Sequence, residues 1–127
     1  MIDHTGFSVT DFDAAKAFYD KALAPIGASL LMMVPEEFTD GVKVGGYGVE
    51  QPVFWINEGE KQVPPIHIAF TAENRSQVDA FYEAAIAAGG EDNGAPGPRP
   101  HYHEHYYGAF VLDKDGHNIE VVCHKPE

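Results

Sequence analysis

Residues 4–27 read HTGFSVTDFDAAKAFYDKALAPIG, and residues 67–90 read HIAFTAENRSQVDAFYEAAIAAGG. Laid over one another at a constant offset, the two stretches bring His4 onto His67 and Phe7 onto Phe70. The tripeptide Ala17-Phe18-Tyr19 then meets Ala80-Phe81-Tyr82 without a gap, and Gly27 meets Gly90. Ala-rich amphipathic segments invite chance similarity, but a His and a Gly in register at either end of an ungapped match do not. The chain reads as two copies of one structural unit.

Working outward, each copy opens with a short alternating strand, over 2–9 and again over 65–71. The entries TDFD and ENRS follow, and such residues accept hydrogen bonds from the free amides of a first helical turn. In the first predicted helix Ala15, Phe18, Ala22 and Leu23 share a face; in the second Val78, Phe81, Ala85 and Ile86 do so. Gly27 and the Gly89-Gly90 pair are expected to stop these helices. Further strands are expected over 28–34, 41–49 and 52–57, then over 106–113 and 118–124, the last two joined by a DKDG turn. A weaker strand follows Gly90, while the Pro/Gly-rich NGAPGPRP at 93–100 reads as a loop. The expectation is one domain over 1–127 made of two strand–helix–strand–strand–strand modules, about 1–60 and about 61–127, meeting near NEGEKQVPP.

Composition narrows the function. With 8 basic and 20 acidic residues the net charge is −12. Such a surface repels phosphate backbones and anionic lipid, so neither nucleic acid nor membrane is an expected partner. One cysteine precludes an intrachain disulfide and points to a reducing compartment. The start MIDHTGFSV has no signal-peptide pattern and no apolar run is long enough to span a bilayer, so a cytoplasmic location is expected.

Strand alternation places His4 with Gly6 and Ser8, His67 with Ala69 and Thr71, and Glu120 with Val122 and His124. The opposite faces are apolar and suit packing under helices. Polar residues on a merely wet face would be unremarkable, but Trp55 and the Met-rich second strand are too apolar for that. A curved sheet closing over a cavity would let His4, His67 and Glu120 converge. Two imidazoles and one carboxylate with open positions suit divalent Fe, Mn, Ni or Zn.

The paired modules, with His4, His67 and the Ile119-Glu120 step, resemble the vicinal oxygen chelate superfamily of glyoxalases, bleomycin-resistance proteins and extradiol dioxygenases. The resemblance implies an α+β fold in which two βαβββ modules form a half-open barrel around a cavity. It implies metal ligands at His4, His67 and Glu120, a small-molecule substrate with vicinal oxygens, and a homodimer. The metal would act as a Lewis acid, with His103, His105 and Tyr107 from the segment HYHEHYY (101–107) as acid–base candidates.

Departures from individual members are equally legible. Where glyoxalase I carries a fourth, glutamate ligand, this chain has Trp55 or, with a two-residue shift, Asn57; Glu58 and Glu60 read as loop residues. Asp113-Lys114-Asp115-Gly116 before Glu120 resembles the extradiol dioxygenase signature, with His101 or His103 as its histidine. Phe110 stands where that signature has tyrosine, although Tyr106 and Tyr107 are near. A lyase, isomerase or dioxygenase is therefore expected without a defined substrate. The alternative is a metal-free protein that binds small planar compounds, as bleomycin-resistance proteins do. A cupin-type site within HYHEHYY fails, because no Glu follows the histidines at the required spacing. His117 and His124 are expected at the surface, Cys123 in packing, and Met32 and Met33 in the core or a cavity wall.

Overall fold

In a computed structural model describing residues 1–127, the repeat is realised strand for strand. Module one runs β1 (Thr5–Val9), α1 (Phe12–Ala22), β2 (Ser29–Met33), β3 (Val44–Gly48) and β4 (Phe54–Glu58). Module two runs β5 (His67–Thr71), α2 (Arg75–Ala87), β6 (Glu91–Pro98), β7 (Tyr107–Leu112) and β8 (Asn118–Cys123). The two four-stranded sheets have equivalent orders, β1-β4-β3-β2 and β5-β8-β7-β6. The first and last strands of each module pair in parallel, and the remaining pairs are antiparallel. This is an α+β fold of two βαβββ modules whose sheets remain open, a half-open barrel.

Local chemistry explains where the helices start. The Asp11 carboxylate accepts from the Ala14 N–H at 3.1 Å, and the Asn74 side chain accepts from the Gln77 N–H at 2.9 Å. A further first-turn donor, the Phe12 N–H, reaches the Glu58 carboxylate at 3.0 Å. Glu58 therefore lies in β4 and not in a loop, and its side chain serves the start of α1. Gly27, with φ of 81°, closes a 3₁₀ turn over Ala24–Ile26, because α1 has already ended at Ala22 before Pro25.

Apolar side chains from both modules meet in one core. Phe7, Val9, Phe18 and Tyr19 are buried with Val78, Phe81, Ile119 and Val121 in a single cluster. Each sheet turns one face to the helices and leaves the other open. Leu31, Met32 and Met33 stay exposed along β2, so the methionines expected in core or cavity wall are surface residues in the single chain.

Two further expectations are corrected. The segment at 93–100 is not simply a loop, because β6 continues to Pro98. Its ladder to β7 breaks register between Asp92 and Gly94 and again between Gly94 and Gly97. A bulged edge strand tolerates Pro96 and Pro98, since an edge leaves N–H positions that need no partner. His117 is buried, with 0% of its surface exposed, instead of lying at the surface. Its Nδ1 accepts from the Ile66 N–H at 2.9 Å, so its Nε2 carries the proton donated to the Ser8 carbonyl at 3.0 Å. The ring stacks on Phe7 with centroids 3.8 Å apart.

His117 belongs to a polar seam between the modules. Asp115 accepts from the Thr10 N–H at 3.0 Å and from its hydroxyl at 2.8 Å. Asp113 accepts from the Tyr19 hydroxyl at 2.6 Å and from the backbone N–H groups of Asp115 and His117. The DKDG turn thus docks module two onto β1 and α1 of module one. Burial, reinforced by the Asp113 charge and hydrogen bond, holds the Tyr19 hydroxyl well above the ordinary tyrosine range.

Two outcomes follow from this seam. His117→Ala should cost about 3 kcal/mol in urea unfolding, from two unpartnered backbone groups and a cavity. Both modules should still unfold in one transition. Because the folded pKa of Tyr19 is raised, its contribution is intact below the unfolded pKa of about 10 and is lost as pH rises beyond it. The urea midpoint should therefore fall above about pH 10, and Tyr19→Phe should flatten that fall.

Candidate functional site

The open face of the second sheet carries Glu120 and His67. Parallel pairing sets Ala69 of β5 opposite Glu120 of β8, and antiparallel pairing sets Phe110 of β7 opposite the same glutamate. Ile119 and Val121 take the helix side, so Glu120 and the side chain of His67 share the open one. The His67 Nε2 lies 2.8 Å from Glu120 Oε1, and the Tyr106 hydroxyl donates to Oε2. Gly108 makes room for this carboxylate, since a Cβ there would come within 3.3 Å of Oε2.

Burial gives the arrangement its energetic character. The Glu120 side chain is only 2% exposed, whereas His67 is 53% exposed. An ion in such a place costs several kcal/mol unless it is paired and hydrogen-bonded. One partner is a neutral phenol and the other an imidazole open to solvent. Burial, with the hydrogen bond and charge of Glu120, raises the Tyr106 pKa well above the ordinary value, so this tyrosine remains a donor. An imidazole nitrogen and a carboxylate oxygen 2.8 Å apart match in type the donor set of a divalent cation.

The remaining expected residues are dispersed. His4 precedes β1, lies exposed with Asp3 at 2.6 Å, and lines a shallow pocket with Gln51, Pro52 and Trp55. The chain contains no cluster of three or more His, Cys, Asp or Glu side chains placed to hold a metal. His67 and Glu120 are brought together, and His4, on the other sheet's side, does not join them within one chain. Tyr107 points away from this face: its hydroxyl donates to Asp79 of α2 at 2.7 Å, and Arg75 stacks over its ring. Strand parity gives the Glu120 face to Tyr106 instead. His103 is exposed and packs edge-on against exposed His124, while His105 lies 3.8 Å from the Glu104 carboxylate. Cys123 is buried in the core. Counting in twos back from Phe110 would have identified both Tyr106 and Gly108, since all three share the parity that faces Glu120.

Comparison with known proteins agrees with this architecture. No curated protein matches the sequence. A glyoxalase/bleomycin resistance protein from Albidiferax ferrireducens T118 is 27% identical with a TM-score of 0.76, over 95% of this chain and 97% of that one. A glyoxalase/bleomycin resistance protein/dioxygenase family enzyme from Burkholderia phytofirmans PsJN is 18% identical with a TM-score of 0.71, over 98% of each chain. The fosfomycin resistance protein FosX from Listeria monocytogenes, complexed with Mn(II) and sulfate ion, is 20% identical with a TM-score of 0.69, over 98% of this chain and 93% of that one. No helix is long and apolar enough to cross a membrane. The family model for the Glyoxalase/Bleomycin resistance protein/Dioxygenase superfamily matches residues 1–121, so the doubled βαβββ fold and its sequence agree, and the chain belongs to that superfamily.

Proposed function

We propose that the protein is a divalent-metal-dependent enzyme, of lyase, isomerase or dioxygenase type, acting on a small substrate with vicinal oxygens. The observation that carries this reading is the buried Glu120 carboxylate on an otherwise open sheet face, shared between His67 and Tyr106. His67 and Glu120 would hold the cation, and His4 is the third donor, supplied by a second copy of the chain. Fe, Mn, Ni and Zn all suit two imidazoles and a carboxylate. The exposed Leu31, Met32 and Met33 favour a homodimer, because a second copy would cover that apolar strip. Mn(II) in a fosfomycin resistance protein of the same fold supports divalent metal use.

A bound cation would supply Lewis-acid stabilisation of negative charge developing on substrate oxygens. The chain's own residues do the remaining work. Tyr106 holds Oε2 of Glu120, which leaves Oε1 directed towards His67. Phe110 supplies an apolar floor beside that imidazole, 6.2 Å between ring centroids. His103 and His105, on the segment leading into Tyr106, are the acid–base candidates for moving a proton of the bound substrate.

Metal uptake by wild type, His4→Ala, His67→Ala and Glu120→Gln tests this reading. Wild type should bind one ion per chain, and each variant should lose at least about tenfold in affinity. A refolded equimolar mixture of His4→Ala and Glu120→Gln should regain about a quarter of the sites, because mixed dimers contain one intact site each. Recovery of none would place all ligands within a chain. Absence of uptake by wild type would leave the metal-free binding protein as the function.

A further inference from the structure

We infer that Arg99 is the oxyanion-recognising residue of this site, and that the substrate is an acid whose anionic head group lies in the pocket bordered by Arg99 and Phe110, beside the His67–Glu120 pair. The inference rests on the proposed function for the neighbouring metal and names the substrate class of the same site.

Arg99 stands at the neck of the segment that delivers Tyr106. Its backbone N–H donates to the Tyr106 carbonyl at 2.7 Å, while the Tyr106 hydroxyl reaches Glu120. The guanidinium sits over the Phe110 ring at 5.5 Å, and Phe110 is the register partner of Glu120. One ring therefore neighbours both the cation and His67.

The side chain is held in place. Nη1 donates to the Gly97 carbonyl at 2.8 Å, and Nη2 donates to the Ala95 carbonyl at 2.9 Å. Gly94 and Gly97 leave the space it occupies, since a Cβ at either would come within 3.3 or 3.2 Å of its nitrogens. These bonds use one edge of the guanidinium. The Nε–H and the second Nη2–H form the other edge and have no protein partner, and Arg99 lines an open pocket with Asn93, Tyr102, Phe110 and Asn118. That free edge matches the two oxygens of a carboxylate or phosphonate.

Charge sharpens the argument. The chain has 20 acidic residues, yet Arg99 makes no ion pair, whereas the other arginine, Arg75, pairs with Glu127 at 3.3 Å. A clamp for the β6 carbonyls alone would not need a rigid fork with an unused edge. A protein of net charge −12 repels small anions, so recognition of an acid requires a positioned cation at the site.

Methylphosphonate and acetate serve as probes in NMR titrations of the full chain, reading Tyr102, Tyr106 and Phe110. Wild type should show saturable shifts with at least one probe, and the tighter one identifies the head group. Arg99→Gln should weaken this by at least about tenfold, Arg99→Lys should recover only part, and Lys114→Gln should leave it unchanged. Mn(II) affinity and thermal midpoint should stay near wild type in Arg99→Gln. Unaltered anion affinity in Arg99→Gln would overturn the inference. So would a joint loss of anion binding, Mn(II) binding and thermal stability, which would make Arg99 a structural clamp. Arg99-dependent anion binding in a wild type that takes up no Mn(II) would retain the anion site and remove the metal.

Discussion

The docking of the β7–β8 turn onto module one is the interaction on which the rest of the molecule depends. Asp113, Asp115 and His117 together bind Tyr19, Thr10, Ser8 and Ile66, so one short turn ties both modules into a common frame. Each partner would be costly to bury alone, and each is satisfied by a group from the other module, from the turn itself or from the Ile66 N–H just before β5. Strand β8 leaves this anchored turn immediately. Glu120 lies three residues beyond His117, and its position on the sheet follows from where that turn is held.

The same frame separates two kinds of burial. Helix-facing residues of β8, Ile119, Val121 and Cys123, enter an apolar core that needs nothing further. Glu120 is buried on the other side, where its oxygens meet only His67 and Tyr106 and Gly108 leaves them room. A carboxylate withdrawn from water on an open face is a feature of chemistry more than of folding. The acidic surface gives that chemistry a second consequence, since any anionic substrate must find compensation locally, and Arg99 is the cation placed to provide it.

Much of this was legible before any fold was known. Helix starts at Asp11 and Asn74 follow from short-range hydrogen bonding, which depends on residues a few positions apart. The shared face of His67 and Glu120 follows from the period of two along a strand. His117 was not legible, because its partners Ser8 and Ile66 lie far away in sequence and nothing local marks a histidine after a turn as buried. A weak strand after Gly90 was legible, but its continuation to Pro98 was hidden for a related reason: the Gly and Pro residues oppose a regular strand, and only the neighbouring β7 draws them into a bulged edge. Tyr107 was the tyrosine expected at the site, but the pleat, which alternates sides, sends it to Asp79 and its neighbour Tyr106 to Glu120.

By itself, then, the sequence determined the doubled module, the capped helices and the parity that puts metal-capable side chains on open sheet faces, because each depends on local geometry repeated along the chain. The tertiary structure decided which of those side chains meet. It brings His67 to Glu120 through parallel pairing of β5 with β8, and it leaves His4 just before β1 of the first sheet. That choice depends on how two open sheets are oriented about a common core, and orientation is set by packing across the module seam, which no periodicity within a strand encodes.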